Sequence, residues 1–317
     1  MQAQRIEDGV MRLQSVAKPE PNAGEVLVKV HYAGINRADL MQVEGTYPPP
    51  EGVPNIPGLE IAGTRMDTGE AVCALLPGAG YAEVVSVHED HLLPIPEGYD
   101  LRQAAALPEA VLTNLMALWD VGEVAPGEVV LIHGGSGGIG HMAIQMLIAY
   151  GCTVFSTAGT DAKVAFCESL GATAINYNSG DFVDWIKAQG GVDVVLDMVG
   201  CDYISRNMKC MRRNGRLVSL AFLQGSKVEI QAGGLLLKQL RWSGCTLRSR
   251  SNAEKAAYVA RARELVWPWI VEGRVAPHIE AVYPLEAAAK AHEHMRNYLH
   301  MGKLLLELGP SSTTNNR

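Results

Sequence analysis

The 317 residues are 48% hydrophobic and 19% charged, a globular composition long enough for two layered domains around sizeable cores. A formal net charge of −7, with Arg212–Arg213 the only adjacent basic pair, argues against a nucleic-acid or anionic-membrane surface. The six cysteines show no CxxC or zinc-knuckle spacing and read as small apolar side chains of a reduced compartment. The opening MQAQRIEDGV lacks an apolar leader core and no run approaches a membrane span, so a cytoplasmic protein without nucleic-acid or membrane partners is expected.

Short β-rich runs come first: EVLVKVHYAG, LEIAGTRM, EAVCALL and YAEVVSVHEDHLLPI, each broken by Gly or Pro. Strands in succession suggest a compact β-barrel-like domain. From about Pro108 strands alternate with helices: VVLIH, IGHMAIQMLIAYG, TVFSTA, DAKVAFCESLGA, TAINY, a helix near Asp181–Gln189, VDVVLDMV, a helix over Tyr203–Arg213, GRLVSLAF and RWSGCTLR. Continuous apolar strands alternating with helices predict a doubly wound parallel sheet covered on both faces. After Ser251 come helical segments and a last strand, GKLLLEL, which needs a partner and is expected to rejoin the N-terminal strands. The fold expected is α/β, a Rossmann-type sheet (109–250) inserted into a β-barrel domain (1–108 and 251–317). Gly309–Arg317 reads as a frayed polar tail.

The turn after VVLIH is Gly134-Gly135-Ser136-Gly137-Gly138-Ile139-Gly140, in which Gly135, Gly137 and Gly140 satisfy GxGxxG between a strand and a helix. Such a turn lets backbone N–H groups and a helix N-terminus approach a pyrophosphate; the alternative is a purely structural glycine turn. The second strand ends Thr157-Ala158-Gly159-Thr160 with no acid for a ribose 2′-hydroxyl. Lys163 follows, and with Thr160 it suits a 2′-phosphate, so NADPH is expected; a solvated helix face is the other reading of Lys163.

In order along nearly the whole chain, GEVLVKV, GINRADLMQ, GTYPPP, ALPEAVLTN, VLIHGG, GGIGHMAIQ, TAGT, GATAINY, DMVG, GRLVSLAF, TLRSR and GKLLLEL resemble the medium-chain dehydrogenase/reductase superfamily. The resemblance is to its zinc-free quinone oxidoreductase (zeta-crystallin-like) branch, nearest the tumour-suppressor-induced subgroup. It implies a GroES-like β-barrel domain, an inserted Rossmann domain, a cleft between them, and a homodimer reducing quinones or related activated alkenes with NADPH. Asn36 stands where zinc-using relatives place a cysteine and Gly58-Leu59-Glu60 where they place GHE, and the four-cysteine lobe has no counterpart, so no metal is expected.

Carried over residue by residue, the resemblance places Tyr47 and Asn36 against the substrate and Thr113 near the nicotinamide. It places Gly135, Ser136, Gly137, Gly138, Ile139 and Gly140 at the pyrophosphate, and Thr160, Lys163 and Tyr177 around the adenosine phosphate. Phe222 and Leu247 would line the nicotinamide side, with Lys303 approaching the cofactor from the last strand. Relatives often carry Ser-Gly-x-Gly where this chain has Gly137-Gly138-Ile139-Gly140, so a serine's role does not transfer to Gly137.

Quinone reduction asks for hydride transfer, a dry stacking surface and a donor near the developing oxyanion. Tyr47 and Asn36 are the candidate donors. Asn36 has the alternative of pinning its own loop, Arg37 and Asp39 of pairing with each other, and Tyr47 of packing only. His292-Glu293-His294 is expected on an exposed helix. Two other functions fit the same features: reduction of 2-alkenals or enones with Tyr47 as proton donor, and non-catalytic NADPH binding in a structural or RNA-binding protein.

Overall fold

The structure is a computed structural model that describes residues 1–309; the rest of the expected polar tail lies outside the described residues. The chain divides into two compact units, Met1–Glu109 with Arg248–Trp267 and the chain from Pro277, and Ala110–Leu247 with Pro268–Ala276.

The first unit opens with a hairpin, β1 (Gln2–Glu7) and β2 (Val10–Ser15). Strands β3 (Glu25–Ile35), β4 (Glu60–Arg65), β5 (Ala71–Leu75), β6 (Val84–His88) and β7 (Leu92–Pro94) follow. In β3 the side chains alternate, Val28 and Val30 buried on either side of exposed Lys29, as a pleated strand with one core face requires. β3 pairs antiparallel with both β4 and β6, and β5 bridges β4 to β7.

The second unit carries β8 (Val129–His133), β9 (Thr153–Ala158), β10 (Thr173–Asn176), β11 (Val192–Asp197), β12 (Met211–Ser219) and β13 (Arg241–Gly244). They form one sheet in the order β10-β9-β8-β11-β12-β13, every pair parallel. Val130–Ile132 and Val194–Leu196 are fully buried, as expected of central strands with both faces covered. The strand order reverses at β8, the switch point where open α/β sheets bind ligands. Two boundaries differ from expectation. The helix Asp202–Cys210 gives way to β12 at Met211, three residues before the expected end, and β13 stops at Gly244, so Thr246–Arg250 lies beyond the strand.

Back in the first unit, β14 (Ile279–Pro284) lies parallel to β15 (Lys303–Glu307), and β15 pairs antiparallel with β3, Leu304 opposite Ile35 and Leu306 opposite Ala33. The last strand thus rejoins the N-terminal sheet, and Leu304 and Leu306 enter one core with Val28, Val30, Ile35, Ile61 and Val85. The six cysteines are free, four of them buried, with Cys201 and Cys245 half-buried. No helix among the described residues is long and apolar enough to cross a membrane.

Candidate active site

The turn leaving β8 is shaped by what its glycines must avoid. Gly134 adopts φ +68°, and the N–H groups of Gly134 and Gly135 donate to the Thr157 carbonyl of β9 (3.1 and 3.3 Å). A Cβ at Gly135 would lie 1.9 Å from Ser156 Oγ, and one at Gly140 2.4 Å from the Gly134 carbonyl. Both positions are fixed by close packing, Gly135 against β9 and Gly140 against the backbone of the turn itself. Gly137 is different, since the nearest atom to its Cβ would be at 3.5 Å, an ordinary contact. It caps the helix Gly138–Tyr150 in extended conformation and offers no side-chain acceptor.

The first intrahelical donor is His141, which reaches the Gly137 carbonyl at 3.0 Å, so the N–H groups of Gly138, Ile139 and Gly140 have no carbonyl within the helix. Together with the positive end of the helix dipole they form an anion cradle that fits a pyrophosphate. Ser136 is buried at its edge. Thr113, also buried, lies on the helix Pro108–Asn114, and its neighbour Asn114 donates to the Ile139 carbonyl at 3.0 Å.

At the end of β9, Thr160 caps the helix Asp161–Ser169, its Oγ1 accepting from the Lys163 N–H at 3.3 Å. The hydroxyl keeps its own hydrogen for a ligand oxygen. The nearest acid, Asp161, is held by the Asn176 amide at 2.7 Å. Tyr177 stands against Gly159, where a Cβ would meet its hydroxyl at 2.5 Å. Thr160 and Tyr177 therefore stand at the C-terminal end of β9, with Lys163 in the first turn of the helix that follows. Phe222 packs on Gly200, and Leu247 is buried. Beneath the loop lies a chain of buried polar groups that no short-range pattern announced. His133 contacts Thr157 Oγ1 (3.0 Å) and Asn207 Oδ1 (2.7 Å), and Asn207 donates to Asp197 (3.3 Å). Burial pushes the His133 imidazole below its usual pKa, keeping it neutral.

In the first unit the structure brings Asn36 and Lys303 together through Glu60, the last residue of Gly58-Leu59-Glu60. Lys303 and Glu60 are 1% and 0% exposed and form an ion pair. Lys303 Nζ donates to Asn36 Oδ1 at 2.7 Å, and Asn36 Nδ2 donates to Glu60 Oε1 at 3.0 Å. Glu60 Oε2 accepts from the Glu109 N–H at 2.8 Å. Lys303, expected to approach a cofactor, thus has two of its three donors committed to Glu60 and Asn36. These partners are 24 to 267 residues apart in sequence, so no local spacing could reveal them.

The alternative of an Arg37–Asp39 pair is not realised. Asp39 is fully buried and accepts from the Asn36 N–H (2.7 Å), the Gly58 N–H (2.9 Å) and the Tyr81 hydroxyl (3.1 Å), whereas the Arg37 guanidinium lies over the Tyr298 ring. Burial raises the Asp39 carboxyl to about 6. The expectation for His292 is also corrected. It is 2% exposed on the helix Ala288–Arg296, because its Nε2 meets the Tyr81 hydroxyl at 3.1 Å, while His294 is half-buried against the Tyr283 hydroxyl. Tyr47 is half-buried. Its ring lies under the Arg248 guanidinium at 4.9 Å and its carbonyl accepts from Arg248 at 3.1 Å; the same guanidinium reaches the Pro77 carbonyl and Gln42 Oε1.

A pyrophosphate cradle on a doubly wound sheet and a GroES-like β-unit in one chain define a medium-chain dehydrogenase/reductase. Residues 22–97 match the alcohol dehydrogenase GroES-like domain and residues 138–262 the zinc-binding dehydrogenase domain. The chain is 34% identical to the quinone oxidoreductase of Sus scrofa and 32% to that of Rattus norvegicus, each over 94% of both chains. Among solved structures it is similar to the quinone oxidoreductase of Thermus thermophilus, determined also with NADPH (TM-score 0.87, 30% identity, 97% of this chain and 100% of that one). The Escherichia coli quinone oxidoreductase complexed with NADPH superposes with a TM-score of 0.85 at 27% identity, covering 97% of this chain and 99% of that one. The chain belongs to the quinone oxidoreductase family of the medium-chain dehydrogenases/reductases, and it is an oxidoreductase.

The zinc in one matched domain's description does not fit these residues. Asn36 and Leu59 stand where zinc-using relatives place ligands, and the Lys303 ammonium already lies against both Asn36 and Glu60. Among the described residues no group of three or more His, Cys, Asp or Glu side chains could hold a metal.

Proposed function

We propose that the chain catalyses NADPH-dependent, zinc-independent reduction of quinones. The observation that carries this reading is the Asn36 amide, oriented between a cation and an anion where a metal-using relative would place a ligand. NADPH supplies the hydride. The cradle of Gly135–Gly140 holds the pyrophosphate, Thr160 and Lys163 hold the 2′-phosphate, and Tyr177 covers the adenosine end. Thr113, Phe222 and Leu247 shape the nicotinamide environment.

Asn36 donates to the quinone oxygen on which negative charge develops, and Tyr47, braced by Arg248, supplies a stacking face. One well-aimed donor contributes about 2.7–4 kcal/mol to such a step. The hydroquinone anion then takes its proton from water, so no general acid is required.

NADPH oxidation measured beside NADH, with 1,4-benzoquinone and with a 2-alkenal, tests the reading. Turnover of benzoquinone with a strong preference for NADPH is expected. Turnover of the alkenal alone would make the protein an enone reductase, and tight NADPH binding without any turnover would leave a non-catalytic binding protein.

A homodimer belongs to the same proposal. The support is β13, an edge strand with all four residues exposed, near a helix whose Leu236 and Leu237 are 80% and 79% exposed. Pairing of two such edges about a two-fold axis would cover them. Sedimentation equilibrium giving a monomer at micromolar concentration would overturn it.

A further inference from the structure

Resting on the proposed reduction, we propose that Lys303 is a positioning and polarising residue for Asn36, a built-in cation acting through the amide, with Glu60 as the group that locks the amide's orientation. The argument begins with burial. Lys303 is 1% and Glu60 0% exposed, and β15 places one opposite the strand that carries the other's neighbours: β15 pairs with β3, and Gly34 of β3 faces Glu60 of β4. A Cβ at Gly34 would lie 2.1 Å from Glu60 Oε1, so the glycine leaves the space that the carboxylate fills. A buried ion pair is weak evidence for stability, since apolar residues of similar volume commonly serve as well. What this pair does that an apolar pair cannot is grip an amide by both ends.

A donor-only ammonium must face Oδ1 and an acceptor-only carboxylate must face Nδ2, so the Asn36 amide has a single orientation. The ammonium draws electron density toward Oδ1 and strengthens Nδ2–H as a donor, an effect largest in a low-dielectric interior. Nδ2 has two hydrogens and gives one to Glu60; it makes no other hydrogen bond among the described residues, and Asn36 keeps 8% exposure. The second hydrogen is the one presented to a developing oxyanion. Lys303 therefore raises kcat without touching substrate.

The test compares Lys303→Met, Glu60→Gln, the double variant and Asn36→Ala, each in the full chain. Lys303→Met leaves the buried Glu60 carboxylate without its counter-ion and is expected to lower the melting temperature; the double variant removes both charges and recovers it. In that double variant kcat with 1,4-benzoquinone is expected to stay roughly tenfold low, a fraction of the 10²–10³ lost with a whole donor, while the KM for NADPH is unchanged. Lys303→Met placed on Asn36→Ala should cost nothing further. Recovery of kcat together with the melting temperature, or an undiminished loss in the Asn36→Ala background, would overturn the proposal.

A readout independent of turnover is the Asn36 side-chain ¹⁵N–¹H resonance in asparagine-labelled protein, assigned by its loss in Asn36→Ala. It should move upfield in the double variant, and an unmoved resonance would also overturn the proposal. Wild-type protein that turns over no benzoquinone would sink the proposed reduction, whereas the resonance would still decide whether Lys303 polarises Asn36.

Discussion

Tyr81 donates its hydroxyl hydrogen to Asp39 Oδ2 at 3.1 Å, with both side chains fully buried. A phenol has one hydrogen, so the contact between the Tyr81 oxygen and His292 Nε2 is a bond donated by the imidazole. Neutral His292 is thereby fixed as the Nε2–H tautomer, and its bare Nδ1 has no partner among the described residues. Asp39, Tyr81 and His292 form one line of hydrogen bonds tying the helix Arg37–Val43 to the helix Ala288–Arg296.

The two ends of this line titrate with opposite effects on stability. Burial raises Asp39 from 3.8 to about 6, so between these values the folded chain binds the extra proton and stability falls as pH rises. Burial lowers His292 from 6.5 to about 3, so the unfolded chain binds the extra proton and stability falls as pH drops through that window. Relative to wild type, Asp39→Asn should lose stability on acidification from pH 6 to 4, and His292→Gln should gain it. Each difference approaches about 1.4 kcal/mol per pH unit. Urea unfolding midpoints across pH 4–7 measure both, and curves parallel to wild type would refute the assignment.

The three signature glycines of the phosphate turn should not respond alike. Gly135→Ala and Gly140→Ala push a methyl into Ser156 and into the Gly134 backbone, so each should cost about 1–3 kcal/mol and weaken NADPH binding. Gly137→Ser meets nothing closer than ordinary contact and adds a helix-capping acceptor, which should be neutral or stabilise by a few tenths of a kcal/mol. Thermal unfolding with an NADPH titration separates the cases.

Cofactor choice should rest on the end of β9. Lys163→Ala should raise the KM for NADPH about tenfold or more, as for a lost charge-assisted hydrogen bond of about 1.5–3 kcal/mol, with little change for NADH. Thr160→Asp should act in the same direction by repelling the 2′-phosphate. Steady-state kinetics with both cofactors checks this, and equal use of both by the wild type would refute the 2′-phosphate site.

Arg248 tests the bracing of Tyr47. Its guanidinium spans the Pro77 and Tyr47 carbonyls and Gln42 Oε1 while lying over the Tyr47 ring. Lysine is a point donor without a planar face, so Arg248→Lys should lower kcat/KM for benzoquinone several-fold and destabilise by about 1–3 kcal/mol. An unchanged KM for NADPH is expected, and unchanged kcat/KM for benzoquinone would show that the brace does not matter.

The local architecture is legible in runs of neighbouring residues. Apolar strand runs, the glycine turn between VVLIH and its helix, and the acid-free end of TVFSTA are encoded in neighbouring residues, where periodicity and backbone sterics act over a few positions. Which polar side chains meet inside follows from the assembled sheets and helices. Glu60, which no local pattern singled out, is the partner of Asn36 and Lys303. His292, expected at a surface, was drawn inward to Tyr81, and Arg37 and Asp39 parted. Buried polar groups take whatever partners the sheet register delivers, and the antiparallel pairing of β15 with β3 brings together residues more than two hundred positions apart.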